Sequence, residues 1–313
     1  MVGQTRTGRY MKQRYTPHFL SRFLLLALLF FATRCWSHPT GNMMIVGETL
    51  LWSYVYPLDD TAHRACLMVW DEEGGARPWL VSEHAASNWM VAPADSDEVY
   101  LIERYYDPAM DAFWMRMLRA EIGVDPVEVW PWGVDPHRLG EGGFAVLADG
   151  RVLFARYPNI YTQERGQEPT IWRVWPQPVS AIHPLADGRL LIRSTEAIWL
   201  VSATGEIEQY WGGLLQEITG DAPFAGNRIF DADFGHGGLW VAYWGQRRFE
   251  RYTDKQAPIL VKQLASPWLP HAVAAGKQDA FLLASSVDPG RAVRPRLWRW
   301  KEQGLELIWS GAK

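Results

Sequence analysis

Leu147-Ala148-Asp149-Gly150-Arg151 and Leu185-Ala186-Asp187-Gly188-Arg189 are identical pentapeptides set 38 residues apart, each between two apolar segments of strand character. Asp-Gly supplies the positive φ values of a tight type I′ turn, so each copy reads as strand, two-residue turn, strand. The spacing is within the range of four-stranded repeat units. The chain is built by repetition, and its function belongs to the loops that interrupt the repetition.

Outward from these turns the same arrangement recurs six times. Each unit has an inner strand, a tight turn, a second strand, a variable loop, a third strand carrying an aromatic residue and usually a fourth strand. The first unit takes residues 43–46, 50–56, 66–70 and 79–82, and the second takes 88–92, 98–104, 113–118 and 127–130. The third takes 144–147, 152–156 and 170–175, with no fourth strand evident. The fourth takes 180–185, 190–193, 197–202 and 206–211; the fifth 228–233, 239–244, 249–253 and 259–263; the sixth 271–275, 280–285, 296–300 and 305–310. Short strands at regular spacing, with Gly or Asp turns and no long amphipathic helix, make an all-β chain.

Trp70, Trp114, Trp172, Trp199, Tyr252 and Trp298 occupy the same place in the six units, on the third strand. Large aromatics repeated there fill the gap between neighbouring wedges of sheet, which accounts for much of the content of 18 tryptophans. A sugar platform or quinone pocket is the rival reading of that content. Units averaging about 45 residues match the length of a blade. The expected fold is a six-bladed β-propeller of four-stranded antiparallel blades, whose radial closure disposes of exposed sheet edges. With its Asp-Gly turns between inner strands, the chain resembles the six-bladed propellers of the TolB, NHL and gluconolactonase-like kind. The resemblance implies an architecture over residues 38–313 and no particular activity.

Residues 1–37 read as a signal peptide. Arg6, Arg9, Lys12, Arg14 and Arg22 form a basic segment ahead of the apolar run FLLLALLFFA, residues 23–32, which is too short to span a bilayer. Cys35-Trp36-Ser37 suits cleavage before His38, and a periplasmic or extracellular location follows. An uncleaved membrane anchor is the alternative reading. After cleavage the chain keeps 25 basic residues against 35 acidic ones, a formal charge of −10. That balance argues against nucleic acid and anionic membranes as partners. The Arg291, Arg294, Arg296 run reads as a solvated loop. Cys66 is the only cysteine left, so no internal disulfide and no cysteine-type metal site can form; in its apolar run it reads as a small buried hydrophobe.

In such a fold the second-to-third strand loops and the connections between blades emerge on one face, and the tight turns emerge on the other. Residues 57–64, 105–112, 157–168 and 287–295 are the long irregular connections expected on the first face. His84, His137, His183 and His271 fall at or just before inner strands, in four different blades near that mouth of the channel. With Asp135 and Asp231 they are the candidate ligand-binding residues. His137, His183 and His271 are the candidate ligands of a divalent metal, with Glu83, Asp135, Asp231 and Asp233 as oxygen ligands or orienting partners. The same histidines also suit satisfaction of backbone groups in a wet channel. The resemblance adds the Glu, Asn and Asp set of gluconolactonase-like propellers, for which Glu83, Asn88, Asn227 and Asp231 are available at spacings that do not match.

No Gly-x-Ser-x-Gly elbow, His-Glu-x-x-His helix, phosphate-binding glycine loop or Cys-x-x-Cys-His motif is present. Gly235-His236-Gly237-Gly238 lies between two strands and reads as a hairpin turn. The function expected is an exported non-catalytic propeller that binds a protein or small ligand at one mouth of the channel. The alternative is a metal-assisted hydrolase or lyase, lactonase-like, acting on a small polar metabolite. No cofactor beyond that divalent metal is implied.

Overall fold

The computed structural model describes residues 39–56, 64–85, 87–94, 97–135, 143–194, 196–212, 229–253, 258–286, 295–302 and 304–311. The signal segment 1–37, His38, His63, His137, Asn227, Arg291, Arg294 and most of the 57–64 and 287–295 loops lie outside the described residues. Among the described residues there is no helix, and so none long and apolar enough to cross a membrane.

Among the described residues, twenty-four strands form six antiparallel four-stranded sheets, each made of four strands consecutive in sequence. Blade 1 holds β1 (Pro39–Val46), β2 (Thr49–Tyr56), β3 (Arg64–Asp71) and β4 (Gly75–Ala85). Blade 2 holds β5 (Ser87–Pro93), β6 (Glu98–Asp107), β7 (Ala112–Glu121) and β8 (Val127–Val134). Blade 3 holds β9 (Phe144–Val146), β10 (Val152–Arg156), β11 (Asn159–Gln163) and β12 (Thr170–Val174). Blade 4 holds β13 (Ala181–Pro184), β14 (Leu190–Arg193), β15 (Ile198–Val201) and β16 (Ile207–Trp211). Blade 5 holds β17 (Ile229–Gly235), β18 (Gly238–Tyr243), β19 (Arg248–Tyr252) and β20 (Ile259–Gln263). Blade 6 holds β21 (Trp268–Ala275), β22 (Ala280–Ser286), β23 (Pro295–Lys301) and β24 (Gly304–Ser310).

Why such strands close into a ring follows from their side-chain alternation. Leu50 and Trp52 of β2 point into a cluster shared with Ala274, Phe281 and Leu283 of blade 6, whereas Leu51 between them points into a cluster shared with Trp89, Val91 and Leu101 of blade 2. Successive side chains of a strand face opposite sides of its sheet, so a blade with apolar residues on both sides must be covered twice. Six buried clusters join blades 1 and 2, 2 and 3, 3 and 4, 4 and 5, 5 and 6, and 6 and 1. The protein is a closed six-bladed β-propeller.

The third-strand aromatics Trp70, Trp199 and Trp298 are buried in these clusters, as expected. Blade 3 departs from the sequence reading. Residues 170–174 are its fourth strand, not its third, and the third is Asn159–Gln163, which reads as loop from sequence. Trp172 thus sits on the outer strand, half-buried against the cluster between blades 3 and 4. Residues 105–112 are likewise a hairpin rather than an irregular loop, since β6 and β7 pair as far as Asp107 and Ala112.

The two pentapeptides are tight turns of a different type from the one expected. Gly150 N donates to Leu147 O at 2.9 Å and Leu147 N to Arg151 O at 2.8 Å; Gly188 and Leu185 repeat the pattern at 3.0 and 2.8 Å. Gly150 and Gly188 each have φ of 84°, and the aspartates do not share the positive φ. Each loop is a three-residue type I turn closed by a glycine bulge. Its aspartate carboxylate accepts the amide two residues on, Arg151 N at 3.0 Å and Arg189 N at 3.1 Å. Ser202 to Glu206 builds a third copy, with Gly205 at φ 88°. The two-residue turn with both φ positive is at His236 (41°) and Gly237 (79°), the hairpin expected there.

A β-carbon at Gly188 would meet nothing within 4 Å, so Gly188→Ala adds no clash and isolates the cost of the backbone conformation. We expect a loss of about 1–2 kcal/mol, read as a lower denaturant midpoint at unchanged slope.

Candidate functional site

Inner strands leave one edge of backbone unpaired toward the channel or the next blade, and side chains of the preceding blade satisfy part of it. Asn42 of β1 exchanges two hydrogen bonds with Val91 of β5: its Oδ1 accepts Val91 N at 2.9 Å and its Nδ2 donates to Val91 O at 2.6 Å. Between blades 5 and 6 two aspartates act the same way. Asp231 Oδ2 accepts Val273 N at 2.9 Å, and Asp233 Oδ2 accepts Ala275 N at 2.7 Å.

These aspartates also face blade 4. Asp233 Oδ1 accepts Phe234 N at 2.7 Å and lies 3.5 Å from His183 Nε2. Asp231 Oδ1 lies 3.7 Å from Arg193 Nη1. The side chains of Arg193 and Asp231 are 14 and 15 % exposed, enough to meet a ligand at the mouth and too little to be fully hydrated. Arg193 ends β14 beside the 194–197 turn, on the face of the second-to-third strand loops, and its Nε and Nη1 have no hydrogen-bond acceptor among the described residues.

Burial pushes the Asp231 carboxyl above its ordinary value and the Arg193 guanidinium below its own. For His183, burial alone would lower the pKa, but Asp233 and then Asp231 outweigh it and hold the imidazole above the usual 6.5.

Two bulges shape the adjoining wall. The β17 register shifts between Ile229 and Asp231, and the β21 register between Pro270 and Ala272, which leaves Phe230 and His271 as the extra residues. Bulges re-aim side chains, and here the two rings meet edge to face at 5.4 Å. His271 Nε2 is 2.5 Å from Ser285 Oγ, with both residues buried.

A second charged group lies at the same end of blade 2. Arg104 Nε is 3.0 Å from Asp135 Oδ2 and its guanidinium lies 3.7 Å over the Phe113 ring. Glu103, fully buried on the same strand, takes Arg116. His84 stacks on Tyr105 at 3.8 Å with Trp132 edge-on to both.

Of the candidate residues, His183 and Asp231 join one network with Asp233, and His271 stands beside it on the next blade. Asp135 belongs to the blade 2 group. His84 is near the end of the outer strand β4, just before the inner strand β5. His137 is outside the described residues, and with it one member of the expected metal trio His137, His183 and His271. The donors present do not fit a metal: His183 Nε2 faces Asp233, His271 Nε2 faces Ser285, and no three His, Cys, Asp or Glu side chains gather for an ion among the described residues. Asp233 does orient a histidine, as its sequence position allowed. Arg193, Phe230 and Ser285 were not marked by sequence; a lone arginine closing an apolar strand was the one available signal. Cys66 is fully buried, and burial pushes its thiol up to about 12.

No protein-family model matches the sequence, and no curated protein matches it. Among solved structures, virginiamycin B lyase from Staphylococcus aureus is similar at 14% identity, over 88% of this chain and 85% of that one, with a TM-score of 0.49. The β-propeller domain of the Trilobed protease from Pyrococcus furiosus is similar at 8% identity, over 88% and 98%, with a TM-score of 0.49. Hsv2 from Kluyveromyces lactis is similar at 7% identity, over 88% and 99%, with a TM-score of 0.44.

Proposed function

We propose that the chain is an exported, non-catalytic propeller that binds a protein or small polar ligand at the loop-face mouth of its channel, with Arg193 as the main donor. The observation that carries this reading is that Arg193 Nε and Nη1 are buried without a hydrogen-bond acceptor among the described residues, the Asp231 carboxylate standing 3.7 Å from Nη1 as an ion-pair partner only. A buried donor without a partner costs about 1–3 kcal/mol, and a ligand acceptor recovers that cost. His183 lies in the same charged network through Asp233 and Asp231, and His271 and Phe230 pack edge to face between blades 5 and 6.

Binding without turnover is supported by the placement of the nucleophile candidates. Ser285 is held by His271 at zero exposure, and Cys66 is equally enclosed. Export rests on the basic and apolar segments of residues 1–37, and intact mass of the envelope protein is expected to show cleavage before His38.

A thermal-shift panel of small carboxylates, sugars and phosphate esters on the mature chain tests the binding reading. We expect at least one to raise the midpoint, with the rise lost in Arg193→Met and no chemical change in the ligand. Conversion of the ligand, or an undiminished rise in the variant, contradicts it.

A further inference from the structure

The turn face carries a cavity of about 420 Å³ between blades 5 and 6, lined by His236, Gly237, Arg251, Trp300 and Glu302. That size suits a small metabolite. Three of the lining side chains are packed around one buried indole, that of Trp240. The His236 ring lies 6.1 Å from it at 28°, the Trp300 ring 6.0 Å from it at 64°, and the Arg251 guanidinium 5.4 Å over its face. Trp240 is itself fixed, fully buried with its Nε1 donating to Gly235 O at 3.1 Å. The walls of the cavity are therefore set by the core rather than by loose surface chains.

Among the described residues the carboxylate and guanidinium lining it have no ion-pair partner. Arg104, Arg116, Arg119, Arg189, Arg193, Arg248 and Arg299 each have a carboxylate within 4 Å. Arg251 has none among the described residues, and its buried Nε has no hydrogen-bond acceptor there. Glu302 lines the same cavity and is exposed, yet the two do not pair. His236 holds φ at 41°, a conformation that asparagine or glycine adopts more easily, while its amide is anchored to Gly276 O at 2.6 Å.

We infer that this cavity is a second ligand site, for a zwitterionic amino acid with a planar side chain. Arg251 receives the carboxylate through charge-assisted hydrogen bonds and Glu302 the ammonium. Trp300 and the His236 ring offer apolar faces to the side chain. A ligand with both charges fits better than one with either alone, because each protein charge would otherwise stay unpaired.

Titration calorimetry of the mature chain tests this with four probes: L-phenylalanine, phenethylamine, 3-phenylpropionate and glycine. L-phenylalanine is expected to bind at least about tenfold more tightly than each of the other three, which lack the carboxylate, the ammonium and the ring respectively. Arg251→Met and Glu302→Gln are each expected to weaken it by a similar factor, while Arg193→Met, at the other mouth, leaves it unchanged. Glu302 is exposed, so Glu302→Gln keeps the fold intact and the test valid even if Arg251→Met proves unstable. Absence of L-phenylalanine binding, equal binding of 3-phenylpropionate, or full binding in Glu302→Gln overturns the inference.

Discussion

Replacement of Trp52 by alanine is expected to lower the unfolding free energy of the propeller by about 3–5 kcal/mol. The indole is fully buried in the cluster between blades 1 and 6, 5.5 Å from the ring of Trp309 near the end of the last strand. This is where the chain closes on itself. Elsewhere neighbouring blades are also tied by a covalent connection, but here the first and last blades are joined by non-covalent contacts, the packed cluster and the ion pairs of Glu72 with Arg299 and Lys301. A cavity at that junction therefore removes transfer energy and weakens the packing that turns a row of blades into a ring. Val174, 70 % exposed on the outer strand of blade 3, supplies the control: Val174→Ala is expected to change stability by no more than about 0.5 kcal/mol. Denaturant midpoints of the two variants, measured beside the parent, decide the matter.

The second large effect is expected from Asp233→Ala, about 3–5 kcal/mol, because it strands a buried imidazole and the Ala275 amide at once. It also has a pH signature. Carboxylates of Asp233 and Asp231 outweigh burial and the opposing Arg193 charge, so folded His183 holds its proton more tightly than the unfolded chain does. A raised folded pKa means that this stabilisation is complete below 6.5 and is lost as the pH rises through the folded value. Asp231 acts in the same direction from a lower start, since its buried carboxyl is raised above 3.8 and its contribution fades as the pH climbs through that raised value. Unfolding midpoints of the parent are expected to fall as the pH rises above 6.5, and His183→Gln is expected to flatten that fall. An equal fall in His183→Gln would assign the dependence to other groups.

Much of the fold was legible because propeller blades are local. Hairpins leave their mark in Gly and Asp turns, and strands covered on both sides show as unbroken apolar runs such as Cys66 to Trp70 or Leu190 to Ile192. Blade 3 shows where that reading stops. Only Ile160 of Asn159–Gln163 is fully buried, so the strand carries no apolar stripe, and Thr170–Val174, exposed at most positions, passed for the strand before it. Turn type was hidden for a different reason: the aspartate carboxylate, by accepting an amide two residues on, selects the three-residue loop over the two-residue one.

The site was legible in residue type and not in partnership. His183, Asp231 and His271 were marked by their places at inner strands, yet what each does depends on partners from 14 residues away, as for Ser285 with His271, to the next blade, as for Asp233 with His183. Arg193 reaches Asp231 across the junction of blades 4 and 5, where the approach is between β14 and β17. His271 meets Phe230 because each strand carries one extra residue at the same level, a register effect that composition does not record.

Hydrogen exchange of the protein, with and without the compound that most raises its melting midpoint, tests the loop-face reading most directly. The account predicts added protection in β13, β14, β17 and β21, around Arg193, and none of it in Arg193→Met. Protection that leaves these strands untouched, or that persists in full in the variant, would contradict it.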